Sequence, residues 1–321
     1  MLRRRFPHCL LACGVATALA NLPPALAQGG ADNTPTSRIP ARMDEGRPSI
    51  TAQRAATLRA AHQILDQPRI LDDPLALRII GAQAESALRA DPQRNERLAT
   101  LRAFVALRSR YAEDELARAV QRGVHQYVIL GAGLDTFAYR NPHPGLRVFE
   151  VDHPATQSWK RGRLHQAGIA PPDSLIFTPV DFEKQTLADG LRRAGFRTDE
   201  PAFFSLLGVA VYLTKDAVMG TLKLVASLPP RSEIVFDYAL PCSSLSESER
   251  ARREVLARRV AAIGEPWITY FDPHALTSEI RQLGFTHVED LGPEEANDRY
   301  FKDRTDGLRV GRGAHLMKAG L

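Results

Sequence analysis

Residues 126–152, QYVILGAGLDTFAYRNPHPGLRVFEVD, constrain this chain more than any other stretch. Tyr127, Val128, Ile129 and Leu130 form a short apolar run that stops at Gly131-Ala132-Gly133, the pattern of a buried parallel strand feeding a glycine turn. Twenty-one residues after Gly131, a second run, Val148-Phe149-Glu150-Val151, ends on Asp152. A turn bare of side chains lets a ligand approach the backbone. An acid ending the second strand lies on the same sheet edge and can accept from both hydroxyls of a ribose. The pair points to a nucleoside-containing cofactor.

The third glycine of the dinucleotide fingerprint is absent, because Thr136 stands in its place. That glycine normally allows a helix to pack beside a pyrophosphate, so its loss weakens an NAD reading. Asp135 would repel a pyrophosphate but tolerate a sulfonium. A cofactor with ribose and no phosphate fits better, and S-adenosylmethionine is the commonest. An NAD(P)-dependent oxidoreductase and a non-catalytic S-adenosylmethionine-binding protein stay open as alternatives.

LGAGLDTFAYR followed by FEVDHPATQSWKR resembles the leucine carboxyl methyltransferase family, in particular its bacterial branch of S-adenosylmethionine-dependent methyltransferases. Upstream, residues 43–81 are similar to that branch's opening; downstream, VDFEKQTL and SLLGVAVYLT match later blocks. The resemblance covers residues 43–321. It implies a class I methyltransferase fold: an α/β, Rossmann-like, seven-stranded, mostly parallel sheet with helices on both faces and an N-terminal helical lid.

The start of the chain reads differently. Residues 1–27 carry Arg3, Arg4 and Arg5, an apolar run and Ala25-Leu26-Ala27, the layout of an export signal cleaved after Ala27. Residues 28–42 read as linker and 43–321 as the methyltransferase domain. S-adenosylmethionine is made and kept in the cytoplasm. A cytoplasmic protein starting near Met43 is therefore the expectation, with export as the alternative. The formal charge of +5 sits mostly in residues 1–42, which hold five arginines and one aspartate, about +4. The remainder is near neutral with no basic tract, so neither nucleic acid nor a membrane is an expected partner; a small-molecule substrate is. Cys9 and Cys13 fall in the leader and leave Cys242 alone, without disulfide or zinc spacing.

Residues 49–65, a short segment from Asp73 and residues 95–122 read as helices preceding the first strand, placed as a lid over the glycine turn. Residues 154–166 are a further helix. Strands are expected at 175–180, 203–211, 232–238, 286–291 and about 308–317, with helices at 215–228, 243–263 and 273–283. The family resemblance implies that Arg108 holds the cofactor's carboxylate, a task suited to a bidentate guanidinium, although Arg110 is an alternative. It also implies that Asp181 and Phe182 hold and cover the adenine; Asp181 as the cap of a helix beginning at Glu183 is the plainer alternative. Gly208 allows close backbone approach to the cofactor, and Tyr212 is a candidate to line the methyl-transfer site. Protein-directed members of the family carry glutamate where Leu207 stands here, which weakens any inference of a protein terminus as substrate. Trp267, Tyr270 and Phe271 read as core or as substrate contacts.

The sequence contains no G-x-S-x-G, C-x-x-C or P-loop, and no histidine pair at metal-ligand spacing. The expected reaction is methyl transfer to an oxygen. A carboxylate acceptor needs no base, whereas a hydroxyl acceptor would need one, with His153 or Tyr212 as candidates.

Overall fold

The computed structural model describes residues 49–91, 96–181 and 184–321. The leader and linker expected at 1–42, the start expected near Met43 and Phe182 lie outside the described residues.

Seven strands, β1 (Gln126–Leu130), β2 (Arg147–Asp152), β3 (Leu175–Pro179), β4 (Phe203–Leu206), β5 (Glu233–Ala239), β6 (His287–Leu291) and β7 (Ala314–Gly320), form one sheet. Its order is β3-β2-β1-β4-β5-β7-β6. All strands run parallel except β7, which is antiparallel to both β5 and β6.

Every residue of β1 is buried, as its unbroken apolar run requires. Side chains alternate between faces. Val128 and Leu130 join Phe149, Val151, Phe204 and Phe236 on one side. That side is covered by α6 (Leu187–Arg193), α7 (Lys215–Ala226) and α9 (Pro273–Gln282). Tyr127 and Ile129 join Val148, Phe203 and Val235 on the other, beneath α4 (Ala99–Gln121) and α10 (Pro293–Tyr300). A third cluster packs α1 (Ile50–Leu65), α2 (Ala76–Ile80) and α3 (Ala82–Ala90) on α5 (Pro154–Gln166) through Ala56, Ala60, Ile79 and Leu164. A further helix, α8 (Glu247–Ala261), starts with a capping box between Ser246 and Glu249.

Several boundaries depart from the sequence expectation. Strand β4 ends at Leu206 instead of 211, because Gly208 takes φ +71° and the chain turns into a 3-10 segment at Ala210–Tyr212. The last strand runs from 314 to 320, not 308 to 317. The helix expected from Glu183 starts outside the described residues; residues 184–186 are not helical and α6 begins at Leu187, capped by the Thr186 hydroxyl. Between β1 and β2 there is only a 3-10 turn, Phe137–Tyr139.

The chain moves from β1 outward to β2 and β3, then returns to β4 on the other side of β1. The carboxyl ends of β1 and β4 therefore flank the topological switch point, where open α/β sheets bind ligands.

Candidate functional site

The glycine turn sits at that switch point. Gly131 and Gly133 have φ of +69° and +46°, a region that side chains disfavour. A Cβ on Gly131 would meet Val209 Cγ2 at 2.5 Å, and one on Gly133 would meet Ala52 Cβ at 2.9 Å. The Gly131 and Ala132 amides both donate to Val151 O, which ties the turn to β2. Asp152 reaches back across the gap: its Oδ2 accepts from the Gly133 amide at 2.6 Å, and its Oδ1 from the His153 amide at 2.7 Å. Burial pushes the Asp152 carboxyl above the usual carboxylate range, opposed by those two amides. The acid and the bare turn predicted from sequence are thus in direct contact.

A second group assembles beyond β4. The Arg108 guanidinium lies against Gly208, where an added Cβ would fall 2.6 Å from Nη2 and 2.7 Å from Cζ. Arg108 Nη1 is also 3.7 Å from Asp237 Oδ2 on β5, and the Asp237 carboxylate accepts from the Gly208 amide. Burial raises the Asp237 carboxyl, with Arg108 opposing. Arg110, the alternative ligand, points elsewhere: it pairs with Asp114 and donates to Ile70 O. Tyr212 is half-buried in the 3-10 turn. Burial pushes its phenol upward, while the Trp267 indole and the Thr51 hydroxyl beside it oppose the shift. The Trp267 N–H is itself buried without a well-aligned acceptor.

The segment carrying Trp267 is strapped to the same turn. The Ile268 and Thr269 amides donate to Val211 O at 2.9 and 3.3 Å, and the Phe271 amide to Ala239 O at 3.0 Å. Phe271 is core, packed edge-on to Tyr238.

The lid expectation has a specific mechanical basis. Asp73, fully buried, accepts from Arg59 Nε at 2.7 Å and from the Thr136 hydroxyl at 2.6 Å. Arg140 Nε lies 3.6 Å away. Burial alone would raise the Asp73 carboxyl, but Arg59 and Arg140 hold it below its ordinary value. Arg59 Nη2 also donates to Leu134 O at 2.6 Å. Thr136, which breaks the dinucleotide pattern, thereby helps Leu134 fasten the glycine loop to the lid.

Asp181 pairs with Lys184 at 2.8 Å at the carboxyl end of β3. His153 Nδ1 accepts from the Ala155 amide at 3.2 Å as the cap of α5.

Known proteins match this architecture. The family described as leucine carboxyl methyltransferase matches residues 52–226. The chain belongs to the leucine carboxyl methyltransferase family. YktD of Bacillus subtilis (strain 168), provisionally named an S-adenosyl-L-methionine-dependent methyltransferase, is 33% identical over 302 residues, covering 86% of this chain and 99% of YktD. A protein of the same provisional name from Parafrankia sp. (strain EAN1pec) is 34% identical over 196 residues, 59% of this chain and 62% of that protein. A crystal structure of a provisionally named methyltransferase from Thermobifida fusca YX shares the fold, with TM-score 0.54 and 18% identity over 86% of this chain and 96% of that one. The seven-stranded methyltransferase fold, the S-adenosylmethionine-dependent methyltransferase class and the cofactor expected from the sequence are borne out. The oxidoreductase alternative falls with that family placement. It also lacks its phosphate site: the glycine turn leads to no α-helix before β2, and the Phe137 amide is taken by Asp135 Oδ1 at 2.8 Å.

Sequence reasoning missed Asp237 and Asp73. An acid inside the apolar run of β5 was a visible signal for Asp237. Asp73 lies in a loop and offered none.

Proposed function

We propose that the protein moves the methyl group of S-adenosylmethionine to an oxygen of a small molecule, with a carboxylate as the favoured acceptor. The observation that carries the cofactor side is the 2.6 Å contact between the Gly133 amide and Asp152. A carboxylate fixed at the rim of a bare turn is positioned to exchange that amide for ribose hydroxyls. The chemistry of the residues fits: Gly131 and Gly133 present backbone only, Asp152 supplies acceptors, and Arg108 supplies a fork for the methionine carboxylate. Asp181 at the end of β3 would take the adenine amino group. When bound, the cofactor supplies a methyl group already activated by its sulfonium.

The acceptor side rests on donors. Tyr212, Thr51 and the Trp267 N–H gather beyond Gly208, beside the Arg108 that would hold the cofactor's carboxylate. With its phenol raised, Tyr212 stays protonated at neutral pH and donates; it is not set up as a base. His153 is committed at Nδ1 to capping α5. With Tyr212 and His153 unsuited as bases, these donors fit an acceptor that is already ionised. What remains for the chain is to hold the oxygen in line with the methyl group and exclude water, a proximity effect of several kcal/mol. Leu207 packs with the apolar cluster under α4 and offers no charge at the position where protein-directed relatives carry glutamate, in keeping with a small substrate. Among the described residues no helix is long and apolar enough to cross a membrane. We infer action in the cytoplasm, where the methyl donor is made.

Titration calorimetry with S-adenosylhomocysteine tests the cofactor reading: the parent should bind and Asp152→Ala should lose most of the affinity. Incubation with labelled donor and a metabolite extract tests turnover. Label recovered as base-labile methyl ester supports the carboxylate acceptor; label on nitrogen or carbon overturns it, and no label at all points to a binder without turnover.

A further inference from the structure

We propose that Glu265 is a positioning residue that clamps the first turn of α1 onto the glycine turn, and that release of this clamp sets how fast the cofactor enters and leaves. The inference rests on the cofactor reading above. Glu265 lies in the loop after α8, yet its Oε1 accepts from the Ile50 amide at 3.0 Å and its Oε2 from the Thr51 amide at 3.1 Å. These are two of the amides that a helix leaves without internal partners, and a carboxylate there also meets the positive end of the helix dipole. Ser49 Oγ takes the next one, from Ala52, at 3.1 Å.

What the clamp holds down is specific. Ala52 Cβ sits where a side chain on Gly133 would fall, so the first turn of α1 lies directly on the turn that Asp152 touches. Thr51 brings its hydroxyl to Tyr212, and Trp267, two residues beyond Glu265, also approaches Tyr212. Glu265 therefore joins the lid to the strap that lines the transfer site.

The rest of α1 is fixed by other means. Arg59 is buried and bonded to Asp73 and Leu134 O, and Ala56, Ala60 and Ala61 are core. Release is thus confined to the first turn. Ile50 is 42% exposed and Gln53 and Arg54 are exposed, so little apolar contact resists fraying there. Glu265 supplies the hold that packing does not.

The test compares the parent with Glu265→Gln and Glu265→Ala by hydrogen exchange in peptides covering residues 49–58 and by stopped-flow tryptophan fluorescence with S-adenosylhomocysteine. Gln keeps the size and one acceptor but turns an amide donor towards a helix N–H, so it should fall between the parent and Ala. Exchange at Ile50 and Thr51 should rise about tenfold to a hundredfold in the Ala variant, and association and dissociation should quicken together. A merely structural role would lower the melting point without this paired change in rates. Unchanged exchange, or faster exchange with parental binding rates, overturns the proposal. If the Ala variant does not fold, the Gln variant carries the same decision. A parent that fails to bind S-adenosylhomocysteine sinks the cofactor reading and the gate with it, whereas intact binding with unchanged exchange sinks the clamp alone.

Discussion

Glu150 and Lys160 form a buried ion pair directly behind the site, and its energetics are open to measurement. Glu150 lies on β2, two residues before Asp152, with its carboxylate 2.7 Å from Lys160 Nζ on α5; the two side chains are 0% and 1% exposed. Tyr139 lies beside the pair, its phenol against Glu150 and its ring centre 5.4 Å from Lys160 Nζ. Burial pushes the Glu150 carboxyl from 4.5 up to about 7, with Lys160 opposing. The folded state then holds this proton more tightly than the unfolded state does. Its contribution to stability is full below 4.5 and is lost as pH rises through about 7. A shift of roughly 2.5 units at 1.36 kcal/mol per unit puts the loss on the order of 3 kcal/mol. Glu150→Gln removes this titration. Urea unfolding between pH 5 and 8 should show the variant gaining on the parent as pH rises, by up to about 3 kcal/mol. Lys160→Met should do the opposite: it strands an ionised carboxylate and costs about 3–5 kcal/mol at pH 8, less at pH 5. Parallel stability curves for the parent and Glu150→Gln across this range would refute the reasoning.

Other substitutions separate holding from binding. Asp152→Asn keeps the shape but not the charge. Two charge-assisted bonds of about 1.5–3 kcal/mol each predict a fall in S-adenosylhomocysteine affinity of at least about a hundredfold by calorimetry. Asp73 has the opposite sign to Glu150: its stabilisation is present above 3.8 and is lost as pH falls through the depressed value. Asp73→Asn should cost about 3–5 kcal/mol in urea by leaving Arg59 buried without a counter-charge. Gly208→Ala should lose about 1–2 kcal/mol from its left-handed backbone and displace Arg108, seen as weaker S-adenosylhomocysteine binding than thermal stability alone predicts. If the acceptor is a carboxylate, Tyr212→Phe should slow turnover without altering its pH profile between 6 and 9; loss of a rise in rate with pH that the parent shows would mean Tyr212 acts as the base.

What could be read from sequence was what the chain writes locally. The run Tyr127–Leu130, the glycine turn and Asp152 are legible because strand, turn and strand are contiguous and a strand buried on both faces reads as an unbroken apolar run. The lid helix is legible from its alanines and from Ser49, which caps it. Partners brought together over long separations are not. The Thr136 bond to Asp73 spans 63 residues and the Thr51 bond to Glu265 spans 214. Neither acid carries a pattern that separates it from a solvated surface residue. The end of β4 shows how this misleads. Continued apolar character through Val211 predicts strand, yet one glycine at φ +71° diverts the backbone, and its amide is taken by Asp237 from the next strand. The charge at that edge therefore comes from β5, not from Leu207 on the β4 edge itself, which packs into the apolar cluster under α4. Motif comparison strand by strand cannot see such a relocation, because the residue that supplies the carboxylate is fixed by the parallel register of β4 on β5 and not by its own neighbours.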